Sequence, residues 1–218
     1  MRLADRSLAV ALLVVAGLLA WTLVSLLVNF PKHPEHPPAY EVAGFVFLKQ
    51  PDDITCGPTS AAMLLNRYGR KVSVKEVEAA TKTKWFRWKG EDVGMTAPDY
   101  VAHVVASLGV PCRLVCCDVE MLKRYVSLDR PCVVLLRSGQ KTWHYVVVIG
   151  YDEGHVFIAD PGDGARETLS LDTFRRAWGF TGDMDGNNLE TDVYVESLRL
   201  ADIRPDTLVV PERPVPRH

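Results

Sequence analysis

Cys56 is the residue of this chain best placed to act as a nucleophile. It sits in Asp53-Ile-Thr-Cys-Gly-Pro-Thr-Ser60, at the mouth of a helix that the following residues predict. A helix N-terminus offers unpaired N–H groups and a partial positive charge, and both favour thiolate over thiol. Gly57 leaves the backbone beside it open to a substrate carbonyl. His144 is the matching base. It interrupts the apolar run Trp143-His-Tyr-Val-Val-Val-Ile-Gly150, and Asp160 closes the next such run. A cysteine with a histidine in reach, and a carboxylate that orients the ring, makes an activated thiol for acyl transfer. Gln50 precedes Cys56 by six residues. Its side-chain N–H and the Cys56 backbone N–H would together hold an oxyanion. Taken singly, each has a plainer reading: a small buried hydrophobe, a satisfied core histidine, a surface glutamine. The combination is what points to chemistry.

The elements that must position these residues follow from pattern. Pro58 suits a first helical turn, Ala61 to Leu65 propagate it, and Gly69 ends it. Ser73-Val-Lys-Glu76 is a capping-box pattern opening a helix to about Ala80. Thr81 to Met95, with Trp85, Phe86 and Trp88 among basic residues, reads as a long loop that lines a substrate cleft or packs as a lid. Helices are expected from Thr96 or Pro98 to Leu108, from Asp118 to about Leu128, and from Leu171 to Trp178. Phe45–Leu48, Pro131–Arg137, Trp143–Tyr151, His155–Asp160 and Ala165–Leu169 are strand candidates. Helices first and an antiparallel sheet second give an α+β domain.

One hairpin makes a geometric prediction. With Asp152-Glu-Gly154 as its loop, Tyr151 faces His155 and Val146 faces Asp160. His144 and Asp160 then share a face as diagonal neighbours, close enough for an imidazole–carboxylate hydrogen bond. A register one residue different would put them on opposite faces. Pro161 holds Asp160 in extended backbone.

The stretches Gln50 to Ser60, His144 to Gly150 and Asp160 to Gly164 resemble the bacteriocin-processing cysteine peptidase family, which is papain-like and removes leader peptides after a double glycine. The order glutamine, cysteine, histidine, aspartate matches, and Phe174 and Trp178 resemble the helix that follows the aspartate there. The similarity covers about residues 45–180. It implies a papain-like fold and a catalytic set of Cys56, His144, Asp160 and Gln50, acting on a peptide or protein substrate without metal or cofactor. The chain departs from those relatives that carry an export ATPase: it has no phosphate-binding glycine loop of that kind. It looks like a free-standing relative, so the leader-peptide substrate does not transfer automatically.

The rest of the sequence bounds these readings. Hydrophobic residues make up 48% and charged residues 24%, which supports a packed core. A net charge of -2 gives no argument for nucleic acid. Leu8 to Val28 is almost wholly apolar and, as a helix, would be about 31 Å long, enough to cross a bilayer core. Arg2 and Arg6 precede it and Lys32 follows, which predicts a cytoplasmic N-terminus and an extracytoplasmic domain. The competing reading is a cleaved signal peptide. The expected organisation is an anchor over 1–28, a linker over 29–43, the peptidase domain over 44–200 and a proline-rich tail over 201–218, extended or disordered.

Cys112, Cys116, Cys117 and Cys132 read as small buried hydrophobes, although an exported domain could oxidise some of them. His33, His36, His103 and His155 receive no role, and Asp160 to Gly164 lacks calcium-loop spacing. Two rivals share the scaffold: an acyltransferase that passes the same thioester to an amine, and an idle peptide-binding module at the membrane.

Overall fold

The computed structural model describes residues 15–16, 18–21, 35–81, 84–88, 91–138, 142–178 and 207–214. The chain divides into two units, 1–35 and 36–218. In the first, residues 15–16 and 18–21 are helical and exposed. The apolar run over 8–28 lies mostly outside the described residues, and among those described no helix is long and apolar enough to cross a membrane.

The second unit opens with a two-residue strand, β1 (Tyr40–Glu41), laid antiparallel on the far end of the strand that carries His144. Val42 N–H adds one more bond to Ile149 O, at 2.8 Å. Gly44, at φ 64°, then turns the chain off that strand. The expected strand at Phe45–Leu48 is therefore absent. The segment is irregular, and the next backbone bond is Gln50 N–H to Pro161 O at 2.7 Å.

Helix α1 (Cys56–Arg67) follows, with Ala61 to Leu65 wholly buried. Gly69, at φ 76°, ends it, and the Asn66 amide donates to Ala62 O and Val72 O to bind the following turn. Helix α2 (Val74–Thr81) opens on the expected capping box: Ser73 N–H donates to Glu76 Oε2 at 2.7 Å, and Glu76 N–H donates back to Ser73 Oγ at 3.3 Å.

The segment expected to be a loop is instead a separate antiparallel hairpin, β2 (Lys84–Trp88) and β3 (Glu91–Met95). Its aromatic residues and Val93 favour strand, while the interleaved charges hide any alternation. The side chains of Trp85, Phe86 and Trp88 lie outside the described residues.

Helix α3 (Pro98–Ser107) starts on its proline and stops at Gly109, φ 94°. Strand β4 (Cys112–Cys116) leads to α4 (Val119–Ser127), capped where Asp118 accepts Met121 N–H at 2.8 Å. Then come β5 (Cys132–Ser138), β6 (Thr142–Tyr151), β7 (His155–Asp160), β8 (Ala165–Ser170) and α5 (Leu171–Trp178), all close to expectation. Phe174 and Trp178 of α5 are buried in the core, with ring centroids 5.4 Å apart.

The tail supplies a surprise. Thr207–Pro211 forms β9, inserted between β4 and β5 and antiparallel to both. Leu208, Val209 and Val210 are buried, so this piece of the proline-rich tail is part of the core. Prolines on either side, Pro205 and Pro211, disguised a three-residue apolar run. Among the described residues the main sheet runs β4-β9-β5-β6-β7-β8, with β1 joined to β6. Strands β5 and β6, the valine-rich pair, lie at its centre and α1 packs against both. The fold is α+β with an antiparallel sheet.

Candidate active site

The site forms where the start of α1 meets β6 and β7. Gly57 makes that meeting possible. A Cβ there would stand 3.2 Å from the Tyr145 ring and 3.3 Å from Thr96 Cβ. Tyr145 is itself fixed, since its hydroxyl donates to Thr96 O at 2.7 Å. Gly57 therefore serves close packing of the helix end on the residue after His144, where the sequence had suggested room for a substrate.

His144 and Asp160 are joined: Nε2 of the ring stands 2.7 Å from Asp160 Oδ1. The contact rests on register. Val147 pairs with Ala159 and Val148 with Ile158, and one more step of that pairing sets Val146 against Asp160, as the hairpin argument required. Nearer the turn the expected pairing fails. Tyr151 faces Val156, so the loop is one residue longer, and Asp152 closes it by accepting from Gly154 and His155 N–H groups. A bulge at Ile149 absorbs the extra residue. Without it, the longer loop would turn His144 and Asp160 to opposite faces. Gly150 belongs to the same device, because a Cβ there would lie 2.7 Å from Tyr40 O and 2.8 Å from the Phe157 ring.

Asp160 is held from a second side. Gly162 N–H donates to the same Oδ1 at 2.6 Å, and Gly164 N–H closes the turn on Asp160 O at 2.9 Å. Burial pushes the Asp160 carboxyl upward, but the His144 bond, the His144 charge and the Gly162 N–H outweigh it and hold it below its ordinary value. For His144 burial opposes the charged ring. The Asp160 hydrogen bond, the Cys56 hydrogen bond and the charges of both partners outweigh it and push the ring up to about 10. With Nε2 on Asp160, Nδ1 is the nitrogen left for the Cys56 thiol. The His144 and Asp160 side chains are 21% and 16% exposed, and Cys56 is 9% exposed. The three are sheltered yet still within reach of solvent.

The N-terminus of α1 carries no cap. Thr55 makes no side-chain capping bond, and Pro58 has no N–H. Among the described residues the Cys56 and Gly57 N–H groups are without a hydrogen-bond partner. Two donors thus stand open beside the thiol. Gln50 is tied to the same place through its backbone bond to Pro161 O. Its side-chain Nε2 donates to Asp52 O at 2.7 Å, and its Oε1 is buried with no partner among the described residues. The structure thus joins His144 and Asp160 directly, has Cys56 among the groups that act on the His144 ring, and brings Gln50 beside the Asp160 turn through its backbone.

Glu167 escaped sequence reasoning. It stands opposite Ile158, two positions from Ala165, the partner of Asp160. Burial, the Asp160 charge and a hydrogen bond with Asp163 push its carboxyl up. Only the β7–β8 register brings it there, and no motif in the sequence signals it.

All five cysteines are free thiols. Burial, then Glu212, pushes Cys112 up to about 12, and burial pushes Cys132 well up. Cys132 fits the reading as a small hydrophobe, whereas Cys116 is exposed. Among the described residues no cluster of three or more histidine, cysteine, aspartate or glutamate side chains stands ready for a metal.

The family model for the Peptidase_C39 like family matches residues 42–185, a stretch containing every residue of this site. The chain belongs to that family. As a C39-like peptidase domain it is 29% identical over 130 residues to the transport/processing ATP-binding protein ComA of Streptococcus pneumoniae (strain ATCC BAA-255 / R6). It is 24% identical over 133 residues to the lactococcin transport/processing ATP-binding protein LcnC-like of Lactococcus lactis subsp. lactis (strain IL1403). The matches cover 59% and 61% of this chain but only 17% of either relative.

Solved structures share the fold. A Bacillus anthracis protein described as a C39-like peptidase superposes with a TM-score of 0.60 at 17% identity, over 82% of this chain and 100% of its own. The peptidase domain of Streptococcus ComA gives 0.52 at 25% identity, over 62% and 92%. A double glycine motif protease from an AMS/PCAT transporter, solved with a leader peptide, gives 0.51 at 20% identity, over 66% and 92%. These likenesses show a shared fold.

Proposed function

We propose that this chain is a thiol peptidase that hydrolyses a peptide bond through an acyl-enzyme, with Cys56 as nucleophile and His144 as its proton carrier. The observation that carries the reading is the His144 Nε2–Asp160 Oδ1 contact of 2.7 Å, which leaves the other ring nitrogen to Cys56. In the resting pair the Cys56 proton already sits on His144 Nδ1, and the thiolate sulfur attacks the carbonyl carbon. A C–S bond forms and the C=O π pair moves to oxygen. The open Cys56 and Gly57 N–H groups, with the Gln50 amide, hold that charge. His144 returns the proton to the leaving amine as the C–N bond breaks. Water, deprotonated by His144, then releases the acid and restores the resting pair. Asp160 keeps Nε2 protonated and stabilises the imidazolium throughout.

The substrate class suggested by the double glycine motif protease solved with its leader peptide is a peptide with a double-glycine site. We extend the proposal to placement: the apolar run over 8–28 tethers the domain at a membrane, with the domain on the extracytoplasmic side. The substrate would then be an exported peptide or protein.

The test incubates the full chain with a synthetic peptide spanning a Gly-Gly site and reads the products by mass spectrometry. Cleavage by the native chain and none by Cys56→Ala is expected. Equal cleavage by Cys56→Ala would remove Cys56 as nucleophile. Added amines distinguish the acyltransferase reading, because aminolysis products would displace the free acid.

A further inference from the structure

Asp52 is an exposed loop residue, yet four hydrogen bonds converge on it. Its carboxylate Oδ1 accepts the Ile54 N–H at 3.1 Å and the Thr55 N–H at 3.0 Å, which closes a tight turn immediately before Cys56. Its carbonyl oxygen accepts the Gln50 amide at 2.7 Å and lies 3.5 Å from the Thr55 hydroxyl.

Two consequences follow for the donors beside the thiol. First, among the described residues the Gln50 amide is oriented by one side-chain bond, because its Oε1 is buried without a partner there. Second, Thr55, the residue before α1, directs its hydroxyl toward Asp52 O and caps nothing, at φ -93° and ψ 19°. Threonine at this position ordinarily turns its hydroxyl onto the first free N–H groups of the helix. Here those groups stay open. The turn at Asp52 therefore governs both arms of the donor set: the direction of Gln50 and the freedom of the Cys56 and Gly57 N–H groups.

Resting on the thiol-peptidase reading above, we propose that Asp52 is a positioning residue for the oxyanion donors. It acts on the charge that develops on the carbonyl oxygen and leaves the Cys56–His144–Asp160 set untouched. Its carboxylate need only accept hydrogen bonds, so an asparagine, which keeps an Oδ1 acceptor, replaces it. Alanine removes the turn and frees both Gln50 and Thr55. Displacing donors by about 1 Å costs about a hundredfold in rate, and losing one donor costs about a hundredfold to a thousandfold.

The experiment compares native full chain with Asp52→Ala, Asp52→Asn, Gln50→Ala and the Gln50→Ala/Asp52→Ala double variant. Two probes separate thiol from donors. Iodoacetamide reads the thiol, since its displacement reaction forms no oxyanion. Acetyl-Leu-Gly-glycinal, a peptide aldehyde, adds the Cys56 sulfur to its carbonyl, so that the C=O π pair becomes an oxygen charge held by the donors. Expected for Asp52→Ala is an iodoacetamide rate within about twofold of native, and aldehyde inhibition weakened about tenfold to a hundredfold. Asp52→Asn restores inhibition to within about threefold, and Asp52→Ala adds little in the Gln50→Ala background. A purely structural role would slow alkylation in step with aldehyde binding, and Asp52→Asn would show the same coupling if Asp52→Ala failed to fold. Either that pattern or unchanged aldehyde inhibition in Asp52→Ala overturns the assignment. A native chain that reacts with iodoacetamide independently of His144 and binds no aldehyde would instead remove the peptidase reading, and this assignment with it.

Discussion

Replacing Asp160 by asparagine separates the charge of the His144–Asp160 pair from its geometry. Asp160 Oδ1 accepts from both His144 Nε2, at 2.7 Å, and Gly162 N–H, at 2.6 Å. In Asp160→Asn the Gly162 N–H cannot face an amide NH2, so it keeps the amide oxygen where Oδ1 was. That oxygen still accepts from Nε2, and the ring keeps its tautomer. What is lost is the negative charge. A hydrogen bond to a charged acceptor is worth about 1.5–3 kcal/mol and a neutral one about 0.5–1.5 kcal/mol, so the loss is about 1 kcal/mol at this partly exposed site. That corresponds to a downward move of the His144 titration by about one pH unit, from its native value of about 10. The assay is NMR of the full chain carrying ε1-13C histidine, with the His144 resonance assigned by its absence in His144→Ala. Peptide hydrolysis should fall by about tenfold or less in Asp160→Asn, and by about a hundredfold or more in Asp160→Ala, which also loses the ring's orientation. A native His144 that titrates near 6.5, or an Asp160→Asn variant as inactive as Asp160→Ala with no move in titration, would refute this reasoning.

Further outcomes follow from the same geometry. Gly150→Ala places a Cβ 2.7 Å from backbone Tyr40 O, and should cost about 1–3 kcal/mol in a denaturant titration, with no fall in alkylation rate for the folded fraction. Truncation before Thr207 removes a buried strand from between β4 and β5, and should abolish the cooperative thermal transition. The stability contributed by the His144–Asp160 pair has a defined pH window. His144 binds its proton more tightly when folded, so its share is complete below about pH 6.5 and is lost as pH rises through about 10. Asp160, held down when folded, contributes above its ordinary value of 3.8 and loses that share as pH falls through its folded value. The melting-temperature gap between native chain and Asp160→Ala should therefore be open at neutral pH and close at both extremes.

Local chemistry was readable from the sequence wherever one residue type sufficed to specify it. The capping box at Ser73, the glycine stops at Gly69 and Gly109, and the valine-rich pair β5–β6 required no tertiary information. The His144–Asp160 contact was also legible, through strand periodicity, but by a partly mistaken route. The hairpin loop is one residue longer than its glycine suggested, and the Ile149 bulge restores the register further along. Bulges leave no reliable mark in a sequence.

What stayed hidden depends on distant partners. Strand β9 is three apolar residues between prolines, and only β4 and β5 make it a strand. The hairpin over Lys84–Met95 carries charges that mask its alternation. The sequence offers Gln50 as a candidate oxyanion donor, but its anchoring to Asp52 and to the Pro161 carbonyl is a property of the folded turn.

In the proposed mechanism Cys56 and His144 act as one activated pair. The most direct test is the rate of Cys56 alkylation by iodoacetamide against pH, read site by site by mass spectrometry on native chain and His144→Ala. Rapid labelling of Cys56 is expected well below the ordinary thiol value of about 8.5, slowed markedly in His144→Ala. Labelling that rises only near pH 8.5, or that is the same with and without the His144 ring, would contradict it.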